Sequence, residues 1–221
     1  MSAQVFHPSS NTIVRASIII GVLAVGLIAV GAALYIRSDF YNYIRDPMAQ
    51  PVAFSHERHV AGNGLDCRYC HTSVENSAFA GIPSTEVCMA CHSQILPDAP
   101  MLEPVRESWE NDTPIMWTRL NDLPQYAFLD HSVHINRGVG CTTCHGPVNE
   151  MRLTWKEHTL HMEWCLDCHR NPAKNLRPRE EVFNVYYEPP ANQMELGQAL
   201  VEEYHVDVDT LGLTNCSTCH R

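Results

Sequence analysis

From Ala16 to Ile36 the chain runs for 21 residues without a charge, bounded by Arg15 and Arg37. At about 1.5 Å of rise per helical residue, such a run just spans the hydrocarbon core of a bilayer. A cleaved signal sequence has a shorter apolar stretch that ends on small residues. Here the run passes through Tyr35 and Ile36 into Phe40, Tyr41 and Tyr43, side chains suited to a membrane interface. The pattern predicts an uncleaved single-pass transmembrane helix over 16–36, after an N-terminal tail over 1–15 and before a juxtamembrane linker over 37–53. Ser17 and Gly21, then Ala29 and Ala33, with Gly26 and Gly31 between, line this helix with small residues that let a partner's helix approach closely.

Past the anchor the periodicity breaks into short pieces. Leu96 to Gln125 holds Pro97, Pro100, Pro104, Pro114 and Pro124, which predicts irregular, surface-running chain, and 171–190 is broken by prolines in the same way. Leu196, Leu200 and Tyr204 fall on one helical face, which predicts a short helix from about Gln193 to Tyr204, with Asn192 and Glu195 placed as a capping box. A repeat also emerges. Phe54, His56 and His59 lead through Gly64 and Leu65 to Cys67; Phe128, His131 and His134 lead through Gly138 and Val139 to Cys141. The repeat predicts a module with its linker over 54–127, a second module over 128–175, and a terminal segment over 176–221 made of linker, short helix and one more site.

The chemistry enters with the cysteines. All ten fall into five copies of Cys-x-x-Cys-His: Cys67, Cys70, His71; Cys88, Cys91, His92; Cys141, Cys144, His145; Cys165, Cys168, His169; Cys216, Cys219, His220. Two thioether bonds from such a turn fix the edge of a porphyrin, and the adjacent imidazole falls over the iron. Zinc sites pair cysteines in fours, redox Cys-x-x-Cys motifs do not need a following histidine each time, and disulfides do not repeat one spacing five times. The expected fold is therefore a multihaem cytochrome c of low secondary-structure content, with short α-helices and loops around five covalently attached haem c groups and one N-terminal transmembrane helix. The haems must then supply much of the core. Haem c is attached on the outer side of the bacterial cytoplasmic membrane. The haem domain is thus expected in the periplasm and the N-terminus in the cytoplasm.

Charge narrows the partners. The chain carries 15 Lys and Arg against 25 Asp and Glu, and the anchor and its tail contribute two of the basic residues, Arg15 and Arg37, and no acid. Haem propionates deepen the negative charge, so nucleic acid is not an expected partner and a basic or neutral docking surface is.

Thirteen histidines, less the five of the motifs, leave His7, His56, His59, His131, His134, His158, His161 and His205. His7 precedes the span and lies on the wrong side of the membrane. The two His-x-x-His pairs are the strongest sixth ligands, because imidazoles three residues apart on one turn reach two different haems; His56, His59, His131 and His134 are assigned so. For the fifth iron His205 stands as far before Cys216 as His56 does before Cys67, while His158 and His161 form a further pair beside Met162. A thioether ligand raises a haem's potential. This supply of strong ligands leaves no iron with an open position, which favours electron transfer over chemistry at a haem.

The paired Phe and His-x-x-His modules resemble the class III multihaem cytochromes. The whole arrangement resembles the membrane-anchored pentahaem cytochrome subunit of alternative complex III, on the single span, the five motifs and the flanks GIPSTEVCMACH, GVGCTTCHGPV, MEWCLDCHRNP and LTNCSTCHR. The resemblance implies a subunit that is not an enzyme by itself and has no catalytic residues of its own. It implies integral membrane subunits that oxidise quinol, an iron–sulfur subunit, membrane lipid, and a periplasmic acceptor such as a monohaem cytochrome c, a copper protein or a terminal oxidase. It also implies four bis-histidine haems and one His/Met haem, which points to Met162, with His205, then His161 or His158, as alternatives. Two other readings compete: a free-standing membrane-anchored quinol dehydrogenase that feeds a periplasmic reductase, and a multihaem reductase. The latter needs an exchangeable iron, often marked by Lys in place of the motif histidine, and none of the five motifs has that change.

Overall fold

The apolar run forms a single long helix, α1, over Ser10–Arg37, and none of its 28 residues is buried. The structure, a computed structural model, describes residues 5–220. It comprises two compact units, one ending at Ile44 and one beginning at Arg45. Within the first unit α1 starts six residues before the span expected from hydropathy. Asn11 to Arg15 contain no breaker, and Pro8 lies just outside the helix, where a missing N–H costs nothing. The mean hydropathy of its most apolar window is 2.6. Residues 1–4 of the expected tail and Arg221 at the far end lie outside the described residues.

The second unit is made of short helices and loops, with no strand among the described residues and an isolated bridge between Val139 and Leu176. Its helices are α2 (Cys67–Cys70), α3 (Thr85–His92), α4 (Glu103–Glu110), α5 (His131–Asn136), α6 (Cys141–His145), α7 (Met162–Arg170), α8 (Gln193–Glu203) and α9 (Cys216–Cys219). Each Cys-x-x-Cys-His motif thus winds as about one helical turn or the end of a short helix. In α2 Asp66 caps the turn by accepting from the Arg68 amide, and the His71 amide donates to the Cys67 carbonyl at 2.9 Å. In α9 the His220 amide closes on Cys216 in the same way.

The proline-rich segment from Leu96 to Gln125 departs from expectation, since it contains α4. Pro104 sits in the helix's first turn, where its fixed φ is already helical and its missing N–H has no intrahelical partner to lose. Val105 is buried there with Leu102 and Val52.

The predicted C-terminal helix is present as α8. Leu200 and Tyr204 are buried together with Val139, Leu176 and Val206, with Leu196 packed against them. The capping box is not formed: Asn192 makes no cap bond to a backbone amide, and its Nδ2 is 3.4 Å from Glu195 Oε2. Instead the Gln193 side chain donates to the carbonyls of Ala173 and Leu176 at 3.0 and 2.8 Å, which docks the helix start on the turn at Pro172–Lys174. Gly197 makes the close approach possible, because a Cβ there would lie 1.9 Å from the Ala173 carbonyl oxygen.

A third cluster, Val74, Ile135 and Val182, joins the two repeats. Small, separate clusters of this kind are expected where prosthetic groups provide much of the packing surface. At the entry to the unit Arg45 binds the carboxylate of Glu157, which also accepts from Trp155 Nε1 at 3.0 Å, and the Arg45 amide donates to the Lys156 carbonyl.

Candidate metal centres

The repeats bring their attachment points together. The thiols of Cys67 and Cys141, the first cysteines of the two modules, lie close enough to act on each other, which lowers the pKa of Cys67 and raises that of Cys141. Cys70 lies within electrostatic reach of Cys88 and Cys91, Cys144 of Cys168 and Cys165, and Cys165 of Cys219. None of the ten cysteines is paired in a disulfide, which leaves each of them available for a thioether bond. Among the described residues no three His, Cys, Asp or Glu side chains converge as a metal cage, so a tetrahedral zinc site has no donors assembled for it.

The histidines do come together, in pairs that cross from the His-x-x-His turns to the motifs. His59 faces His92 with ring centres 6.1 Å apart, His134 faces His169 at 6.1 Å and 27° between planes, and His131 faces His145 at 6.4 Å and 8°. Two imidazoles held on opposite sides of one metal by Nε2, at bonds of about 2.0 Å, have centres roughly 6 Å apart. These spacings therefore fit an axial pair. His56 is half-buried, and His71 lies near enough to act on its ring. The second histidine of each His-x-x-His pair thus meets the histidine of its module's second motif, and His131 meets that of its module's first.

Hydrogen bonds at the other ring nitrogen fix the tautomer. Nδ1 meets a backbone carbonyl in His59 (Ser55, 2.8 Å), His71 (Gly81, 2.7 Å), His92 (Ile95, 2.9 Å), His131 (Ala78, 2.8 Å), His134 (Asp130, 2.6 Å), His169 (Leu213, 2.8 Å) and His220 (Tyr126, 3.0 Å). A carbonyl only accepts, so Nδ1 carries the proton and Nε2 keeps its lone pair for a metal. His56 Nδ1 is 3.1 Å from Thr154 Oγ1, and His145 Nδ1 is 3.1 Å from the Asn121 amide. Burial pushes the pKa of His56 and of His145 down to about 4 and lowers that of His134, so these rings are neutral, the form that binds metal.

The candidates for a fifth pair are not assembled in this way. His220 has the Tyr126 ring 5.9 Å away. His158 stacks on Trp164 at 5.0 Å. Met162 opens α7 at 63% exposure, with His161 as the residue before it. His205 is exposed, with a left-handed φ of 53° at the end of α8, and its carbonyl accepts from Arg137. His7 lies in the first unit, before α1.

Sequence reasoning missed the groups that orient the rings. Asn121, Thr154 and the carbonyls of Gly81, Leu213 and Tyr126 carry no motif, and only Gly81, in the loop after the first Cys-x-x-Cys-His, is near its histidine in the chain.

Residues 52–100 match the family described as cytochrome c7 and related cytochrome c. The chain is also similar to the menaquinone reductase multihaem cytochrome c subunit of Nitratidesulfovibrio vulgaris, with 30% identity over 177 residues covering 78% of this chain and 77% of the relative.

Proposed function

The chain belongs to the multihaem cytochrome c family, and from that premise we propose that it is the haem-carrying electron-transfer subunit of a membrane quinol-oxidising complex of the alternative complex III kind. It carries five haem c groups, is held by α1 as a single-pass anchor in the cytoplasmic membrane, and exposes its haem unit to the periplasm. The quinol-oxidising membrane subunits, the iron–sulfur subunit and the periplasmic acceptor are its partners. When bound, each haem supplies a one-electron ferric–ferrous couple. The five cysteine pairs hold the groups covalently, and His71, His92, His145, His169 and His220 are the proximal ligands. His56, His59, His131 and His134 close the opposite positions of four of them. Met162 serves the fifth, with His205, then His161 or His158, as alternatives.

The observation that carries this reading is the facing of the imidazoles: His59 with His92, His131 with His145 and His134 with His169, at 6.1 to 6.4 Å. Rings on both sides of a metal exclude an exogenous ligand, so the chain's residues favour passage of electrons over reaction at an iron. The test uses the complex captured through a tag on this chain. Added menaquinol should reduce the haems in the intact complex and should not reduce them in the chain purified alone. Reduction in the isolated chain would favour a free-standing quinol dehydrogenase.

A second reading concerns direction. The N. vulgaris relative is a subunit of a menaquinone reductase, and a complex of that kind delivers electrons to quinone. Haems that are reduced by a periplasmic donor and reoxidised by added menaquinone, with no reduction by menaquinol, would support it.

A further inference from the structure

Among the nine imidazoles assigned above to the motifs and the His-x-x-His pairs, seven have a backbone carbonyl at Nδ1 and His56 has a hydroxyl. His145 has a side-chain amide, that of Asn121, which lies 24 residues earlier in the chain. The placement is built from both sides. Gln50 and Thr118 exchange two hydrogen bonds of 2.9 Å, pinning the segment three residues before Asn121. Beyond it, the Tyr126 carbonyl accepts from His220 and the Phe128 amide donates to the Cys219 carbonyl at 2.7 Å. Asn121 is thus inserted from a stretch of chain fixed at both ends.

The comparison between repeats explains why a side chain is needed. After the first motif the chain curls back so that Gly81 offers its carbonyl to His71. After the third motif Gly146, at a φ of 70°, and Pro147 lead the chain away, and the position over His145 is filled from the inter-module segment. Asn121 Oδ1 is buried without a hydrogen-bond partner when Nδ2 faces the ring. Turning the amide places Oδ1 on the Nδ1–H and gives this oxygen a partner, the assignment required if Nε2 is to keep its lone pair for a metal.

We propose that Asn121 is a positioning residue for His145, its amide oxygen accepting the ring Nδ1–H so that Nε2 is aimed at the metal. The inference rests on the reading of His145 as an axial ligand. The partner at Nδ1 sets the basicity of a ligating imidazole and thereby the potential of its iron. A backbone carbonyl cannot be exchanged by substitution, whereas this acceptor can, as can the Thr154 hydroxyl at His56, so the potential of the group at the third motif is open to adjustment by a single side chain.

The experiment is a potentiometric titration of the full-length protein in detergent, followed optically and by electron paramagnetic resonance, for the native chain, Asn121→Asp, Asn121→Leu and His131→Ala. A carboxylate at position 121 should shift one midpoint potential downward and move the g values of one low-spin signal. Leucine, which removes the acceptor, should shift the same potential upward, with the others unchanged. His131→Ala tests the underlying assignment by exposing one high-spin iron. If it does so while both Asn121 variants leave every potential in place, or shift it in the same direction, the inference is overturned and the ligand assignment stands. If His131→Ala is itself silent, the assignment and the inference fall together. Should Asn121→Leu lose haem, the near-isosteric Asn121→Asp alone decides.

Discussion

The rings of His131 and His145 lie within 8° of parallel with centres 6.4 Å apart, although one belongs to a helical turn at the start of its module and the other to a motif 14 residues on. Replacing His131 with Ala should leave covalent haem in place, because attachment depends on Cys141 and Cys144, while one iron becomes high-spin and binds carbon monoxide on reduction. His59→Ala and His134→Ala should each do the same to a different iron. Haem staining beside the spectra separates ligand loss from misfolding, in which both signals fall together. Unchanged spectra in all three variants would contradict the pairing.

The buried carboxylate of Glu157, with 8% of its side chain exposed, depends on Arg45. Burial alone would raise its pKa, but hydrogen bonds from Arg45 and Trp155 more than offset this and hold it below the usual carboxylate range. A folded-state pKa that is depressed contributes stability above the unfolded value, and this contribution is lost as pH falls through the folded one. Arg45→Ala should destabilise the protein by about 1–3 kcal/mol at neutral pH, since it strands a buried acceptor, and the difference from the native chain should shrink below the ordinary carboxylate range. Thermal melting of the full chain across pH, followed by circular dichroism, checks both. A penalty that does not change with pH would remove the carboxylate from the explanation.

Gly197 is required by packing and not by backbone conformation. Its substitution by Ala drives a methyl into the Ala173 carbonyl, a backbone atom that moves only if α8 leaves the turn at Pro172–Lys174. The cost should be of the order of 1–3 kcal/mol or more. Gly26→Ala, where a Cβ meets nothing within 4 Å, should be nearly neutral in the isolated chain. Melting temperatures of the two variants give the comparison, and equal effects would mean that the α8 contact is not tight.

Much of the fold was legible because its signals are local. The five motifs wind as single turns or helix ends, and Leu196, Leu200 and Tyr204 mark the buried face of α8 by spacing alone. What escaped depends on context. Pro104 reads as a breaker in the sequence, yet in the first turn of α4 it has no hydrogen bond to break. His205 copies the spacing of His56 before its motif but follows the end of α8 instead of sitting on a His-x-x-His turn, and it stays exposed. Asn121 has no motif at all, since its role arises from a contact that exists only once the segment between modules is folded.

The fifth sixth-position ligand rests on chemistry that spectra can read. With Met162 on an iron, Met162→His should lower one haem potential and abolish the near-infrared sulfur-to-iron band, and His205→Ala should leave every haem low-spin. If Met162→Leu is spectrally silent and His205→Ala exposes a high-spin centre, the assignment passes to His205.

The central claim, a chain whose five haems have both axial positions filled by its own residues, is tested most directly by one preparation of the full-length protein. Its intact mass should give five attached haems, and the electron paramagnetic resonance spectrum of that oxidised sample should be low-spin throughout. Fewer than five haems, or a high-spin signal amounting to one iron per chain, would contradict the account.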